Sequence, residues 1–237
     1  MLKYYYSVWG FNSVELNFTY YRMPSYKTIV GMLRQVPGDM KFAIKAPGKV
    51  THEFWHADQE SVAGVQHDFC SAIEPMRQEG RLGPILFQFP WSFKSTEENR
   101  LYLERVADIF GAEDRKLVFE FRHDSWASGE ILDFVKRISV IPATVDEPRL
   151  GNLFPYLPVC SSHSAYFRLH GRNPDWFVSE GSERYNYNYT DSDLRSFALD
   201  VLEFHERGLD VYVFFNNCYM GRAVNNALRL REIIGGA

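Results

Sequence analysis

The chain has 237 residues, 46% of them apolar, 24% charged and 16% aromatic, which is enough hydrophobic material for a sizeable core and too much for disorder or a fibrous repeat. A net charge of −4, with no run of Lys or Arg longer than two, excludes a broad electrostatic footprint for nucleic acid or an anionic membrane surface. No apolar run approaches the ~18 residues of a membrane span, and Met1-Leu2-Lys3 followed by aromatics does not read as a signal peptide. Cys70, Cys160 and Cys218 are an odd set with no CxxC pair, which suits reduced, buried thiols in a cytoplasmic protein.

In chain order, Leu2, Tyr5, Tyr6 and Trp9 have helical spacing and predict an opening helix over Leu2 to Trp9. Seven β-rich runs follow, alternating with helical patterns: Val14 to Tyr20, Lys41 to Ala46, Pro84 to Phe89, Leu117 to Arg122, Ile141 to Asp146, Ala165 to Gly171 and Asp210 to Asn217. Ser95 with Glu98 and Thr190 with Asp193 are spaced as capping boxes, while Gly80, Gly111 and Gly208 stand where helices would stop. The segment from Pro148 to Ser164 is rich in Pro and Ser and predicts a loop. No internal repeat or linker interrupts this pattern, so a single domain over residues 1–237 is expected. Its class is α/β with parallel strands, of the TIM (β/α)8-barrel type, with seven strands read and the first apparently missing.

Strand residues alternate between a face toward the helices and a face away from them. Near the carboxyl ends, one parity collects Glu15 and Asn17, Lys45, Gln88, Glu120 and Arg122, Asp146, Arg168 and His170, and Asn216. The other parity is apolar, including Phe42, Phe87, Phe119, Phe121, Val145, Phe167 and Phe215. Ionisable groups on an interior face cost several kcal/mol each to desolvate unless paired, and the carboxyl ends of barrel strands are where chemistry is built. Any one of these groups could be a satisfied core partner; seven strands placing polar groups at matching heights points to a site. Three acids (Glu15, Glu120, Asp146) balance three bases (Lys45, Arg122, Arg168). Metal binding through Glu120, Asp146 and His170 is therefore allowed but not demanded, and no metal or other cofactor is required.

Just past the strand ends lie Thr51, His52 and Glu53; His123, Asp124 and Trp126; and Gly171, Arg172 and Asn173. His52 and His123 suit acid/base work near neutral pH, and Gly171-Arg172 sits where such barrels often hold a phosphate. Tyr20, Tyr21, Trp126, Trp176, Tyr185, Tyr187 and Tyr189 could wall a sugar or a base.

The stretches FNSVELNFTYY, KFAIKAPGKVTHE, LGPILFQFPWSF, FEFRHDSW, the Asp146 to Pro148 step, YFRLHGRN, VYVFFNN and NALRLREI together resemble the YecE-like family, a group of TIM-barrel proteins with a domain of unknown function. The resemblance implies a barrel with a polar pocket at the carboxyl ends, but no activity. It places pocket motifs on Glu15, Asn17, Lys45, Thr51, His52, Gln88, Glu120, Arg122, His123, Trp126, Asp146, Arg168, His170 and Asn216. Relatives usually open with a strand reading roughly Gly-Thr-Ser-Gly-Trp, whereas this chain starts at or just inside the helix that follows. Two sheet edges are thus expected, on the Val14 and Val211 strands, and such edges would suit a homodimer.

The leading functional expectation is an enzyme, a hydrolase or an isomerase, acting on a small polar substrate that is sugar-like or phosphorylated. Glu120, Asp146, His170 and His52 are the catalytic candidates. Glu15, Asn17, Lys45, Gln88, Arg122, His123, Trp126, Arg168, Arg172 and Asn216 are the substrate-binding candidates. One alternative is a non-catalytic binding or sensor module for an anionic metabolite. A metal-dependent nucleic-acid-processing enzyme ranks lowest because the charge balance is wrong for it.

Overall fold

Hydrogen bonding ends most strands earlier than the apolar pattern suggests. A computed structural model describes residues 1–53, 55, 59–112, 114–161 and 163–235. The strands are β1 (Ser13–Leu16), β2 (Lys41–Lys45), β3 (Leu82–Gln88), β4 (Leu117–Glu120), β5 (Ile141–Asp146), β6 (Ser164–Leu169) and β7 (Asp210–Phe215). The helices are α1 (Leu2–Ser7), α2 (Phe18–Tyr21), α3 (Tyr26–Leu33), α4 (Gln59–Gln78), α5 (Glu97–Phe110), α6 (Gly129–Arg137), α7 (Asp191–Glu206) and α8 (Arg222–Gly235). Strand order follows chain order, with β1 and β7 at its two ends. The fold class is the parallel α/β class of the TIM-barrel type, with seven strands. No described helix is long and apolar enough to cross a membrane.

The chain gathers into two compact units, Met1–Phe119 and Glu120–Ala237. In the first, β1 pairs in parallel with β2 and β2 with β3; Glu15 lies beside Ala43, and Lys45 beside Leu86. Paired residues of a parallel ladder point to one side, so Glu15, Lys45 and Gln88 share a face, as their parity predicts. Phe42 and Ile44 fill the opposite face and are fully buried. The strand expected from Val14 to Tyr20 stops at Leu16 and turns into α2. Thr19 explains the break: its hydroxyl meets the carbonyls of Leu16 at 3.1 Å and Lys45 at 2.6 Å, folding the chain back over the end of β2.

Two helix-end expectations also shift. The cap of α5 is Thr96, whose side chain accepts from Asn99 N–H, rather than Ser95. Gly80 and Gly208 are left-handed (φ 63° and 78°) as stop glycines are, but Gly111 has φ −63° and is not. The capping box of Thr190 and Asp193 forms as read. Apart from Ser162, outside the described residues, the Pro148 to Ser164 segment carries no helix or strand before β6 begins at Ser164.

In the second unit, β5 pairs with β6 and β6 with β7, both in parallel. Phe167 packs with Val201, Phe204 and Leu209, and Leu169 with Tyr189, Leu194, Phe197 and Leu230. These residues of β6 therefore face the helices, and Arg168 faces away. The ladder sets Asp146 beside Leu169 and Val145 beside Arg168. Asp146 accordingly faces the helices, the reverse of its sequence-based parity. β5 and β6 are both buried at all six residues, but β5, reading IPATVD, lacks the large apolar residues that flank Arg168 in β6 and mark its helix side.

Candidate functional site

Arg168 and, one residue past β6, His170 extend the helix-averted parity; Glu120 ends β4 and Arg122 follows it by two. These four side chains meet in the second unit. Glu120, with no solvent exposure, receives Arg168 Nη1 at 2.7 Å on one oxygen. The other forms an ion pair with Arg122, whose Nε lies 2.8 Å away without a hydrogen bond, and meets His170 Nε2 at 3.1 Å. Burial alone would raise its pKa, but Arg168, Arg122 and His170 outweigh that and hold the carboxyl well below the usual range.

The His170 ring is fixed from both sides. Its backbone N–H donates to Asp146 O at 2.8 Å, and its Nδ1 faces Asn216 Nδ2 at 3.0 Å and Arg122 Nη2 at 3.4 Å. With donors on the Nδ1 side and a carboxylate on the other, the neutral Nε2–H tautomer satisfies every partner. Burial and then Arg122 push its pKa down to about 3, so the ring is neutral at physiological pH. Asn216 is set by its own backbone N–H on Leu169 O at 2.8 Å. The guanidinium groups of Arg122 and Arg184 face the Trp176 ring, at 5.9 and 5.8 Å from its centre. Tyr185 stands edge-on to Trp176 at 5.4 Å.

Glu147, absent from the sequence-based candidates, belongs to this cluster. One of its carboxylate oxygens meets Arg122 Nη1, and the other accepts from Phe154 N–H at 3.1 Å. Burial pushes its pKa up to about 7 against the pull of Arg122. The signal that would have found it was the Asp-Glu-Pro step. Once Asp146 faces the helices, the next residue falls on the Arg168 side.

Asp146 heads a separate network. Its two oxygens accept from Arg172 Nε at 2.9 and 3.0 Å and from the Tyr189 hydroxyl at 2.7 Å, while Arg172 also reaches Asp193 at 2.7 Å. Arg172 lies over the rings of Phe197 (5.6 Å) and Tyr189 (5.9 Å), so this network ties the end of β5 to α7. Burial raises the Asp146 pKa against the opposing pull of Arg172. Gly171, at φ +90°, donates its N–H to the Tyr189 hydroxyl at 2.8 Å; a Cβ there would come within 2.7 Å of Tyr187 Cβ. The Gly171-Arg172 pair expected to hold a phosphate thus spends these donors on Tyr189, Asp146 and Asp193. The three side chains named as potential metal ligands, Glu120, Asp146 and His170, divide between two networks. Among the described residues, no group of three or more His, Cys, Asp or Glu is arranged to hold a metal ion.

His123 and Trp126 follow the exit of β4. His123 Nδ1 accepts from Ser125 N–H at 3.1 Å, capping the turn Asp124–Trp126. Trp126 is fully buried and stacks on Phe121 at 4.4 Å. In the first unit, Lys45 donates to Gln88 Oε1 at 2.8 Å and sits 4.3 Å from the Tyr20 ring centre. His52 bonds Thr51 Oγ1 through Nδ1 at 2.8 Å and meets Tyr20 edge-on at 5.0 Å. Burial, then Lys45, lowers the His52 pKa to about 4. Asn17 donates to Glu15 Oε1 at 3.0 Å. Of the thiols, Cys70 is buried, Cys160 partly buried and Cys218 exposed, so burial of all three does not hold.

The family model described as "Protein of unknown function DUF72" matches residues 1–237, the whole chain. The chain belongs to the DUF72 family. A DUF72 protein from Thermotoga maritima has a similar solved structure, with TM-score 0.91 and 44% identity over 99% of this chain and 88% of that one. A DUF72 protein from Enterococcus faecalis matches with TM-score 0.89 and 26% identity, again over 99% of this chain and 88% of that one. The UPF0759 protein YunF of Bacillus subtilis is 27% identical, covering 94% of this chain and 83% of its own length. DUF72 membership carries the fold; no catalytic role comes with it.

Proposed function

We propose that this DUF72 protein, as a YecE-like member of the family, is a cytoplasmic enzyme. It would act by acid/base chemistry on a small polar, sugar-like or phosphorylated substrate at the exits of β4, β6 and β7. The observation that carries this reading is the buried assembly of Glu120, Arg122, Arg168, His170 and Asn216, contributed by the ends of three different strands. A core needs none of these groups, and apolar side chains of similar volume would avoid their desolvation cost. Glu120 acts as a fixed negative charge that orients His170. Its two cationic partners make it a poor proton donor. Arg122 and Asn216, converging on His170 Nδ1, supply donors for developing negative charge. Asp146, tied to Arg172 and α7, supports the site from behind. Hydrolysis and isomerisation both use such a set.

The test is a turnover screen of sugar phosphates and related esters with the wild type, Glu120→Gln and His170→Gln, each variant checked for folding by circular dichroism. Acid/base catalysis contributes typically 10²–10⁴-fold, so a loss of roughly 100-fold or more is expected in a folded His170→Gln. The enzyme reading is withdrawn if no substrate turns over faster with the wild type than with the variants. A binding module is the second reading, favoured by the pairing of both guanidinium groups with carboxylates; thermal-shift stabilisation by a metabolite without turnover would support it.

A further inference from the structure

A site that moves protons needs one group whose charge changes near neutrality, and partner counting within the cluster shows which groups keep a single charge state in the resting site. Glu120 has three partners, two of them cationic, and stays ionised. His170 is bounded on its Nδ1 side by a cation and an amide, and a further proton there would face Arg122. Arg122 and Arg168 do not titrate. Glu147 differs: its side chain is fully buried, one oxygen meets a guanidinium already shared with Glu120, and the other meets one backbone N–H. The groups acting on it are Arg122 and Glu120; behind Arg122 stand Arg168, His170 and Tyr185.

We infer that Glu147 is a positioning residue that holds the exchangeable proton of this site and acts on the Glu120–His170 pair through Arg122. The inference rests on the proposed acid/base reading and deepens it. With Glu147 ionised, two carboxylates balance two guanidinium groups around a neutral imidazole. With Glu147 protonated, Arg122 keeps Glu120 as its ionised partner and the cluster carries one net positive charge, suited to an anionic substrate. The rise of its pKa to about 7 puts that change within the physiological range. The Phe154 N–H holds the carboxyl in place in either state, so the proton changes charge without moving the side chain.

The decisive measurement is nitrogen NMR of the protein with 15N-labelled histidine, with the His170 signals assigned by their loss in His170→Gln. In the wild type, the His170 nitrogen shifts should move through one inflection near pH 7 while the ring keeps its neutral Nε2–H pattern. Glu147→Gln should abolish that inflection, and Glu147→Asp should restore it at a displaced pH. Persistence of the inflection in Glu147→Gln, its absence from the wild type, or protonation of the ring itself over this range would overturn the inference. If Glu147→Gln does not fold, Glu147→Asp decides alone: a displaced inflection supports the assignment and an unmoved one overturns it. The readout needs no substrate, so an empty turnover screen with the inflection present would sink the enzyme reading alone.

Discussion

Glu120 and Asp146 are both buried carboxylates at the ends of neighbouring strands, and they do different work. Glu120 faces away from the helices into two guanidinium groups and an imidazole. Asp146 faces the helices, where Arg172 and Tyr189 bind it and Arg172 continues to α7. Each is a carboxylate at the last residue of its strand, so neither charge nor place in the strand assigns the role. The face decides it: one face gathers groups from successive strand ends, and the other fastens strand to helix.

The strongest attempt to break this contrast is removal of the Glu120 charge. Glu120→Gln leaves Arg122 and Arg168 without their shared counter-ion, and loss of one partner of a buried pair costs about 3–5 kcal/mol. Urea unfolding should show a loss of that size, and a loss near zero would mean that the pairing is weak. Asp146→Asn should cost less, roughly 1–3 kcal/mol, because Arg172 is partly exposed and keeps Asp193. Turnover should survive wherever Asp146→Asn folds. Abolished activity in a folded Asp146→Asn would return Asp146 to the catalytic group and erase the contrast.

The pH dependence of stability sharpens the picture. The pKa of Glu147 is raised in the folded state to about 7, so its contribution is fully present below its ordinary value near 4.5 and is lost as pH rises through about 7. His170 is lowered to about 3; its contribution is present above 6.5 and is lost as pH falls toward 3. Urea midpoints should therefore fall less between pH 5 and 8 in Glu147→Gln than in the wild type, and less between pH 6.5 and 4 in His170→Gln. Equal slopes in variant and wild type would count against either assignment. The smallest effect is expected at the helix that anchors the Asp146 network. Thr190→Ala removes the capping box of α7 and should lower stability by about 1 kcal/mol, readable as a small drop in melting temperature.

Much of this arrangement was legible in the chain. Glu120, Arg122, Arg168, His170 and Asn216 were all found by parity, because Phe119 and Phe121, Phe167 and Leu169, and Phe215 alternate with them at the exits of β4, β6 and β7. Lys45 and Gln88 were found the same way and do bond to each other. The reading failed at β5, where Pro142, Ala143 and Thr144 supply no large apolar residue to mark the helix side before Asp146, and Glu147 was missed as a consequence. His123 and Trp126 follow the β4 exit in sequence but leave the strand direction at the turn Asp124–Trp126, where alternation no longer says which way a side chain points.

By itself, the sequence determined the parallel α/β class, the number of strands and the face of every strand that carries an alternating pattern, because burying one side of a strand leaves a period of two in its residues. Only the tertiary structure decided which face Asp146 takes and that Glu147 joins Arg122. Both depend on the register between β5 and β6, and register is set by hydrogen bonds between segments distant in the chain; β5, with no large apolar residue repeating on one parity, leaves no record of it in its own residues.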